Sequence, residues 1–160
     1  MNFEIRKGIE SDLEGVLALI KELALYEKAP QEVTISLEQL REDGFGLRRL
    51  FECIIAEFEG RVVGMAFYYF RYSTWKGKFL YLEDFVVSES FRGKGIGAQL
   101  FDAVMQVSLS EACVGMTWQV LDWNEPALHF YKKYGAHLDG EWINGRLMRR
   151  EIELLMKPKN

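Results

Sequence analysis

Cysteine, histidine, proline and positive charge are all scarce in this chain, and each scarcity removes a class of protein. Two cysteines in 160 residues, Cys53 and Cys113, are too few and too isolated for a disulfide framework or a metal site. Both read as reduced thiols of a cytoplasmic protein, and no metal is expected. The two histidines, His129 and His137, have no serine or cysteine nucleophile placed near them by motif, which argues against a hydrolase triad. With only three prolines, no Pro/Gly-rich linker and no internal repeat, the chain reads as a single domain over 1–160. No window approaches a membrane span, and Met1 to Glu10 lacks the basic-then-apolar profile of a signal peptide. Twenty Lys and Arg against 24 Asp and Glu leave a net charge of −4, so no bulk positive field favours nucleic acid or an anionic membrane. The acidity suits a cationic substrate instead.

What is present is an ordinary globular composition, 49% hydrophobic and 28% charged, with clear periodicities. Phe3 to Arg6 alternates as a short strand. Ser11 with Glu14 suggests a capping box for a helix whose apolar face is Leu13, Val16, Leu17, Ile20, Leu23 and Ala24, ending near Tyr26 to Lys28. Ser36 with Gln39 repeats the capping signal for a shorter helix stopped by Gly44. The acids of this excursion, Glu27, Glu32, Glu38, Glu42 and Asp43, read mostly as a solvated face. Phe51 to Phe58 and Arg61 to Tyr72, joined by Glu59-Gly60, form a hairpin, and Phe79 to Val87 adds a third strand. These three near-continuous apolar runs predict the centre of an antiparallel sheet covered on both faces. A helix from Ile96 to Ser108, a short strand from Met116 to Leu121 and a helix from Asn124 to Tyr134 follow, the last with Pro126 in its first turn and Gly135 as its stop. Trp142 to Met156 turns at Asn144-Gly145 and reads as a last strand, although Arg150 to Lys157 suits a terminal helical turn equally well.

Between the third strand and the long helix stands Arg92 to Gly97, R-G-K-G-I-G. Three glycines in five residues let backbone N–H groups turn inward without Cβ crowding, and the helix adds its unpaired N–H groups and dipole. That is a cradle for an anionic phosphate group. A tight turn that binds nothing is the plainer alternative, and the glycine density with Arg92 and Lys94 weighs against it. Gly97 is followed by Ala98 and Gln99 rather than by Lys-Ser/Thr, so a nucleoside triphosphate is poorly supported. The dinucleotide pattern G-x-G-x-x-G fails because the third glycine comes one position early.

Glu83 and Asp84 interrupt the apolar run of the third strand. A charge in a covered strand must be paired or hydrated, or its pKa rises. Successive strand residues face opposite ways, so the two acids reach one site only if a bulge intervenes. Glu83 reads equally as a general base beside the phosphate loop and as a structural acid; for Asp84 a structural acid, paired with an Arg or capping N–H groups, is preferred. Asn124 and Tyr131, seven residues apart, share a helix face roughly 10 Å apart along the axis. One can hold an extended ligand while the other, a phenol, donates a proton to a leaving thiolate; with Phe130 and Tyr134 beside it, Tyr131 also suits a core aromatic.

The spacing Arg-x-x-Gly-x-Gly after an acid-bearing strand, together with N-E-P-A and F-Y-K-K-Y-G (Asn124 to Gly135), resembles the GNAT superfamily of N-acetyltransferases. With E-L-A-L-Y-E (Glu22 to Glu27), E-D-G-F-G (Glu42 to Gly46) and Y-L-E-D-F-V-V (Tyr81 to Val87), in the same order over nearly the whole chain, the similarity is to its diamine acetyltransferase branch. That branch holds spermidine/spermine N1-acetyltransferase and its thialysine-acetylating relative, toward which V-L-D-W-N (Val120 to Asn124) leans. The resemblance implies an α/β (α+β) fold: a mixed, mostly antiparallel twisted sheet, helices on both faces, and cofactor at a split between central strands. It implies acetyl-CoA as cofactor, held by the segment Phe85, Val86 and Val87 through main-chain groups, by Arg92, Gly93, Lys94, Gly95, Ile96, Gly97 and Ala98 at the pyrophosphate, and by Asn124 and Tyr131. It implies Tyr131 as general acid and Glu83 as the acid that accepts the amine proton through water. Tyr26 and Glu27 match the lining of the amine groove, and Glu83, Asp84 and Asp122 fall on segments around it. Ser73 and Ile143 stand where the spermidine enzyme has acids, which points to a short diamine or a lysine-like amino acid. The expected partner is therefore a small cationic amine, with no nucleic acid or membrane and with the homodimer of the family. A protein N-acetyltransferase and a non-catalytic CoA-binding module are the alternatives.

Overall fold

Four successive buried residues, Cys53 to Ala56, mark a strand with both faces covered, and the architecture is built around it. The computed structural model describes residues 3–157; the ends of the expected 1–160 domain lie outside them. The described residues fall into two units, 3–119 and 120–157.

The first unit runs β1 (Glu4–Lys7), α1 (Leu13–Tyr26), α2 (Leu37–Phe45), β2 (Glu52–Phe58), β3 (Arg61–Ser73), β4 (Gly77–Val87), α3 (Ile96–Ser110) and β5 (Gly115–Trp118). Strand order is β1-β2-β3-β4-β5, antiparallel except for the parallel β4–β5 pair. The sheet is thus mixed and mostly antiparallel, as expected. Glu59 and Gly60, with φ of 50° and 75°, supply the left-handed pair that the two-residue β2–β3 hairpin needs. On one face Leu13, Val16 and Leu19 of α1 and Leu40 of α2 pack with Phe51, Phe67 and Val86. On the other, α3 buries Ile96, Leu100, Phe101 and Val104, and Phe101 meets Phe85 with ring centroids 5.6 Å apart. Each such side chain contributes about 1.5–3 kcal/mol when fully buried.

Helix ends depart from expectation in two places. The Ser11–Glu14 box does not form. A short 3-10 turn, Glu10–Asp12, leads into α1, and the Asp12 carboxylate accepts the Ile9 N–H (2.8 Å) and both terminal nitrogens of Arg6 (2.7 and 2.8 Å). Ser36 does cap α2, its Oγ accepting the Gln39 N–H at 3.1 Å. Gly44, however, is not the stop. It lies inside α2, where a Cβ would meet the Phe51 ring at 2.5 Å, and the helix runs on to Phe45.

In the second unit Asn124 caps α4 (Glu125–Lys133), its Oδ1 accepting the Ala127 N–H at 3.3 Å, and Gly135 follows at φ 70°. The strand expected over Trp142 to Met156 is not formed. Residues 136–148 hold neither helix nor strand, and α5 (Arg149–Leu155) takes the alternative path. Local bonding explains the choice: Glu151 accepts the Met148 N–H at 2.6 Å, and Arg149 pairs with Glu153 one turn on at 2.7 Å. No helix among the described residues is long and apolar enough to cross a membrane.

Candidate active site

The acids of β4 share a face because the strand carries one residue too many. Phe67 pairs with Asp84 and the next residue, Tyr68, pairs with Leu82, so Glu83 is bulged out of the ladder. Before the bulge Leu82 lies on the α3 face. After it Phe85 returns to that face, meeting Phe101, while Val86 joins the α1 core. Asp84, opposite Phe67, and Glu83, which accepts the Tyr69 O–H at 3.1 Å, both look toward α1 and α2. Burial pushes the Asp84 carboxyl from 3.8 up to about 6, helped by the charges of Glu83 and Glu27. Burial raises Glu27, at the C-terminal end of α1, as well. Asp84 has no ion-pair partner among the described residues, so the Arg expected of a structural acid is not what holds it there. Burial first, then the Glu83 charge and the bond to Glu83, lifts the Tyr69 phenol to about 12, which keeps it an O–H donor at neutral pH.

Farther along β4 the neighbouring strand changes. The parallel ladder with β5 covers only Phe79 to Leu82 against Gly115 to Trp118, and there the two strands part. Ser88 donates its N–H to the Val63 carbonyl of β3 at 2.9 Å, which fixes the phase of the strand. In an antiparallel ladder alternate residues address the same neighbour, so Val86 also faces β3, and Phe85 and Val87 aim N–H and C=O toward the side β5 has left. The Val87 carbonyl accepts Arg92 Nε there, at 2.9 Å. Val86 differs from its neighbours: its peptide groups serve β3 and its side chain is in the α1 core.

The glycine loop follows. Gly93 and Gly95 have φ of 73° and 80°, and a Cβ on either would meet nothing within 4 Å. The first helical bond of α3 runs from Gln99 N to the Gly95 carbonyl at 3.2 Å, which leaves the N–H groups of Ile96, Gly97 and Ala98 as the orphan donors of the helix. Ile96 anchors this end, 1% exposed. Open glycine faces, orphan N–H groups and the cations Arg92 and Lys94 make a chemically consistent seat for a pyrophosphate.

The C-terminal turns of α1 hold the loop in place. Glu22 accepts the Ser88 O–H (3.0 Å) and the Glu89 N–H (2.8 Å), and one turn later the Tyr26 ring lies under the Arg92 guanidinium, 5.2 Å from its centroid. On the same side of the sheet opens a cleft of about 430 Å³. Ile35, Leu40, Leu50, Phe51 and Phe67 form its apolar wall, and Tyr69, Asp43 and Glu83 its polar groups.

The structure thus gathers Tyr26, Glu27, Glu83, Asp84, Phe85, Val87 and Arg92 to Ala98 around one end of β4. Asn124, Asp122 and Tyr131 belong to the second unit: Asn124 at the α4 cap, Asp122 in the turn before it, and Tyr131 buried on α4 with its ring 5.4 Å from Phe130. Sequence reasoning missed Glu22, Tyr69 and the cleft-facing role of Asp43. Only Glu22 left a signal, since it lies one helical turn before Tyr26 and so shares its face.

A mixed sheet that parts beside a glycine loop at a helix N-terminus, with carboxylates gathered on one face, is the frame of a cofactor-dependent transferase. The chain belongs to the Acetyltransferase (GNAT) family, whose model matches residues 17–136. It is 44% identical over 140 residues to thialysine N-epsilon-acetyltransferase of Bos taurus, covering 82% of each chain. It is 38% identical over 160 residues to spermidine/spermine N(1)-acetyltransferase-like protein 1 of Homo sapiens, covering 94% of this chain and 23% of that protein. An integron cassette protein from the mobile metagenome of V. cholerae has the same fold, with a TM-score of 0.78 at 26% identity over 99% of both chains. The protein is an acetyltransferase, and the expected family and fold class hold.

Proposed function

We propose that the protein transfers the acetyl group of acetyl-CoA to a primary amine of a small cationic substrate, a diamine, polyamine or lysine-like amino acid, by direct attack in a ternary complex. The observation that carries this reading is the bulge at Glu83, which turns Glu83 and Asp84 onto the same face as Glu27. Three acids on one face draw in a cation, and Glu83 is reachable from the cleft.

The Phe85 and Val87 edge, Arg92 to Ala98 and Asn124 would hold acetyl-CoA, which supplies an activated acetyl thioester. An ammonium has no lone pair, so the reacting amine must first be neutral, and Glu83 takes up that proton, directly or through water. Tyr131 supplies a proton from its phenol oxygen to the departing sulfur. Arg92 and Lys94 balance the phosphate charge, and Glu22 fixes the turn that carries them. The resemblance to GNAT relatives supports the role of Tyr131 and a cytoplasmic homodimer; light scattering of the purified protein checks the latter.

Purified protein given acetyl-CoA and thialysine, lysine, a short diamine, spermidine or an uncharged-tail monoamine, at low and moderate salt, tests the reading by CoA release. The dications should be preferred, and the preference should shrink as salt rises. A monoamine that matched them at both salt levels would sink the cationic-substrate reading. Modification of a peptide with no turnover of small amines would point to protein substrates instead.

A further inference from the structure

The motif Glu42 to Gly46 is built to present an acid. Gly44 has no side chain, so the Phe51 ring can lie against α2. Phe51 in turn stacks on Phe67 with centroids 4.1 Å apart, and both rings wall the cleft. The Asp43 carbonyl accepts the Leu50 N–H at 2.7 Å, which closes residues 43–50 into a loop and fixes the end of α2 over the sheet. The Asp43 side chain, half-buried, then faces the same cleft as Glu83. Gln39 Nε2 donates to Asp43 Oδ1 at 2.9 Å, and Oδ2 has no donor among the described residues.

Two carboxylates from separate elements, α2 and β4, therefore open on one apolar space that no cationic side chain lines. We propose that Asp43 is the specificity-determining anchor for the second ammonium of a dicationic substrate whose reacting amine lies at Glu83. The aliphatic spacer covers Phe51 and Phe67, so a molecule charged at both ends and apolar between fits the lining. This rests on the acetyl-transfer reading and adds to it the group that tells a diamine from a monoamine. Beside the apolar wall the ion pair is screened less than one in open water.

The test compares putrescine with butylamine, which differ only in the second charge. Asp43→Asn keeps an oxygen for Gln39 and removes the charge. It should lower kcat/KM for putrescine about tenfold, chiefly through KM. Turnover of butylamine and the KM for acetyl-CoA should stay within about twofold, and Asp43→Glu should keep a preference for putrescine. An equal fall for both amines would make Asp43 a packing residue, and no change for either would leave it outside the substrate site; both outcomes overturn the proposal. Calorimetric binding of putrescine in the presence of CoA separates this failure from failure of the transfer reading. Binding weakened by Asp43→Asn without any turnover keeps the anchor and overturns the transfer; binding undiminished in that variant overturns the anchor.

Discussion

Gly95 allows the strain of a glycine loop to be separated from its purpose. It caps α3 at φ 80° and ψ 0°, and a Cβ there would meet nothing within 4 Å. Left-handed backbone costs an L residue about 1–2 kcal/mol. For a chain of this length that is a Tm loss of roughly 2–8 °C in Gly95→Ala. The new methyl group touches no protein atom, so any further effect must come from what approaches the loop. If the pyrophosphate comes close to the backbone here, acetyl-CoA affinity should fall more than about tenfold, or 1.4 kcal/mol. Gly60 is the internal control, with φ 75° and nothing within 4 Å, but in the β2–β3 turn. Gly60→Ala should lose a similar Tm and bind acetyl-CoA as the parent does. Thermal melts without ligand and titration calorimetry with acetyl-CoA read the two effects separately. Should Gly95→Ala melt early yet bind acetyl-CoA normally, the loop is a strained turn and the cofactor belongs elsewhere.

Tyr131→Phe keeps the buried ring and loses only the acid, so kcat should drop by a factor on the order of 10² with amine KM little changed; a parental kcat would return the residue to the core. Glu22→Ala deletes both acceptors that clamp Ser88 and Glu89 and should raise the KM for acetyl-CoA about fivefold or more, with kcat less affected. An unmoved KM would show that the loop is held by other means. Asp84, raised from 3.8 to about 6, holds a proton in the folded chain at pH values where the unfolded chain has lost it. Its stabilising share is full below pH 3.8 and is lost as pH rises through about 6. Asp84→Asn should therefore exceed the parent in stability by on the order of 2–3 kcal/mol above pH 7 and match it below about pH 4. Melts across that range decide, and a constant difference between the two proteins would contradict the burial argument.

The stripe Leu13, Val16 and Ile20 was legible because it repeats the period of its own backbone, and the run Phe51 to Phe58 because a near-continuous apolar stretch closed by Glu59-Gly60 marks a covered strand. The glycine loop was legible as a tight turn because three glycines in five residues mark backbone that needs positive φ, which Gly93 and Gly95 adopt. The Glu83 bulge was not, because register is set by β3, whose partner residues no local pattern identifies; sequence could state only that a bulge was needed. The C-terminal strand failed where two local signals competed and the cap at Glu151 with the Arg149–Glu153 pair prevailed. Reading the acids of the α1–α2 excursion as solvated is right for Glu32, Glu38 and Glu42, which are exposed. It fails for Asp43 because only the fold puts a cleft beside that part of α2. For Tyr131 and Asn124 the helical spacing left both a core aromatic and a ligand contact open, and only the resemblance preferred one.

Removing Glu83 from the chain would disturb no other side chain of β4. Leu82 would keep the α3 face and Asp84 the α1 face, because the extra residue interrupts an otherwise regular alternation. Deleting Asp84 would leave Glu83 in its place on the same face, whereas loss of Leu82 would put an acid on the α3 face. At the bulge, therefore, β4 tolerates the loss of either of two adjacent acids. A lineage could gain or discard one carboxylate there in one step and keep an intact sheet, so the charge on this face can change without any revision of the scaffold beneath it.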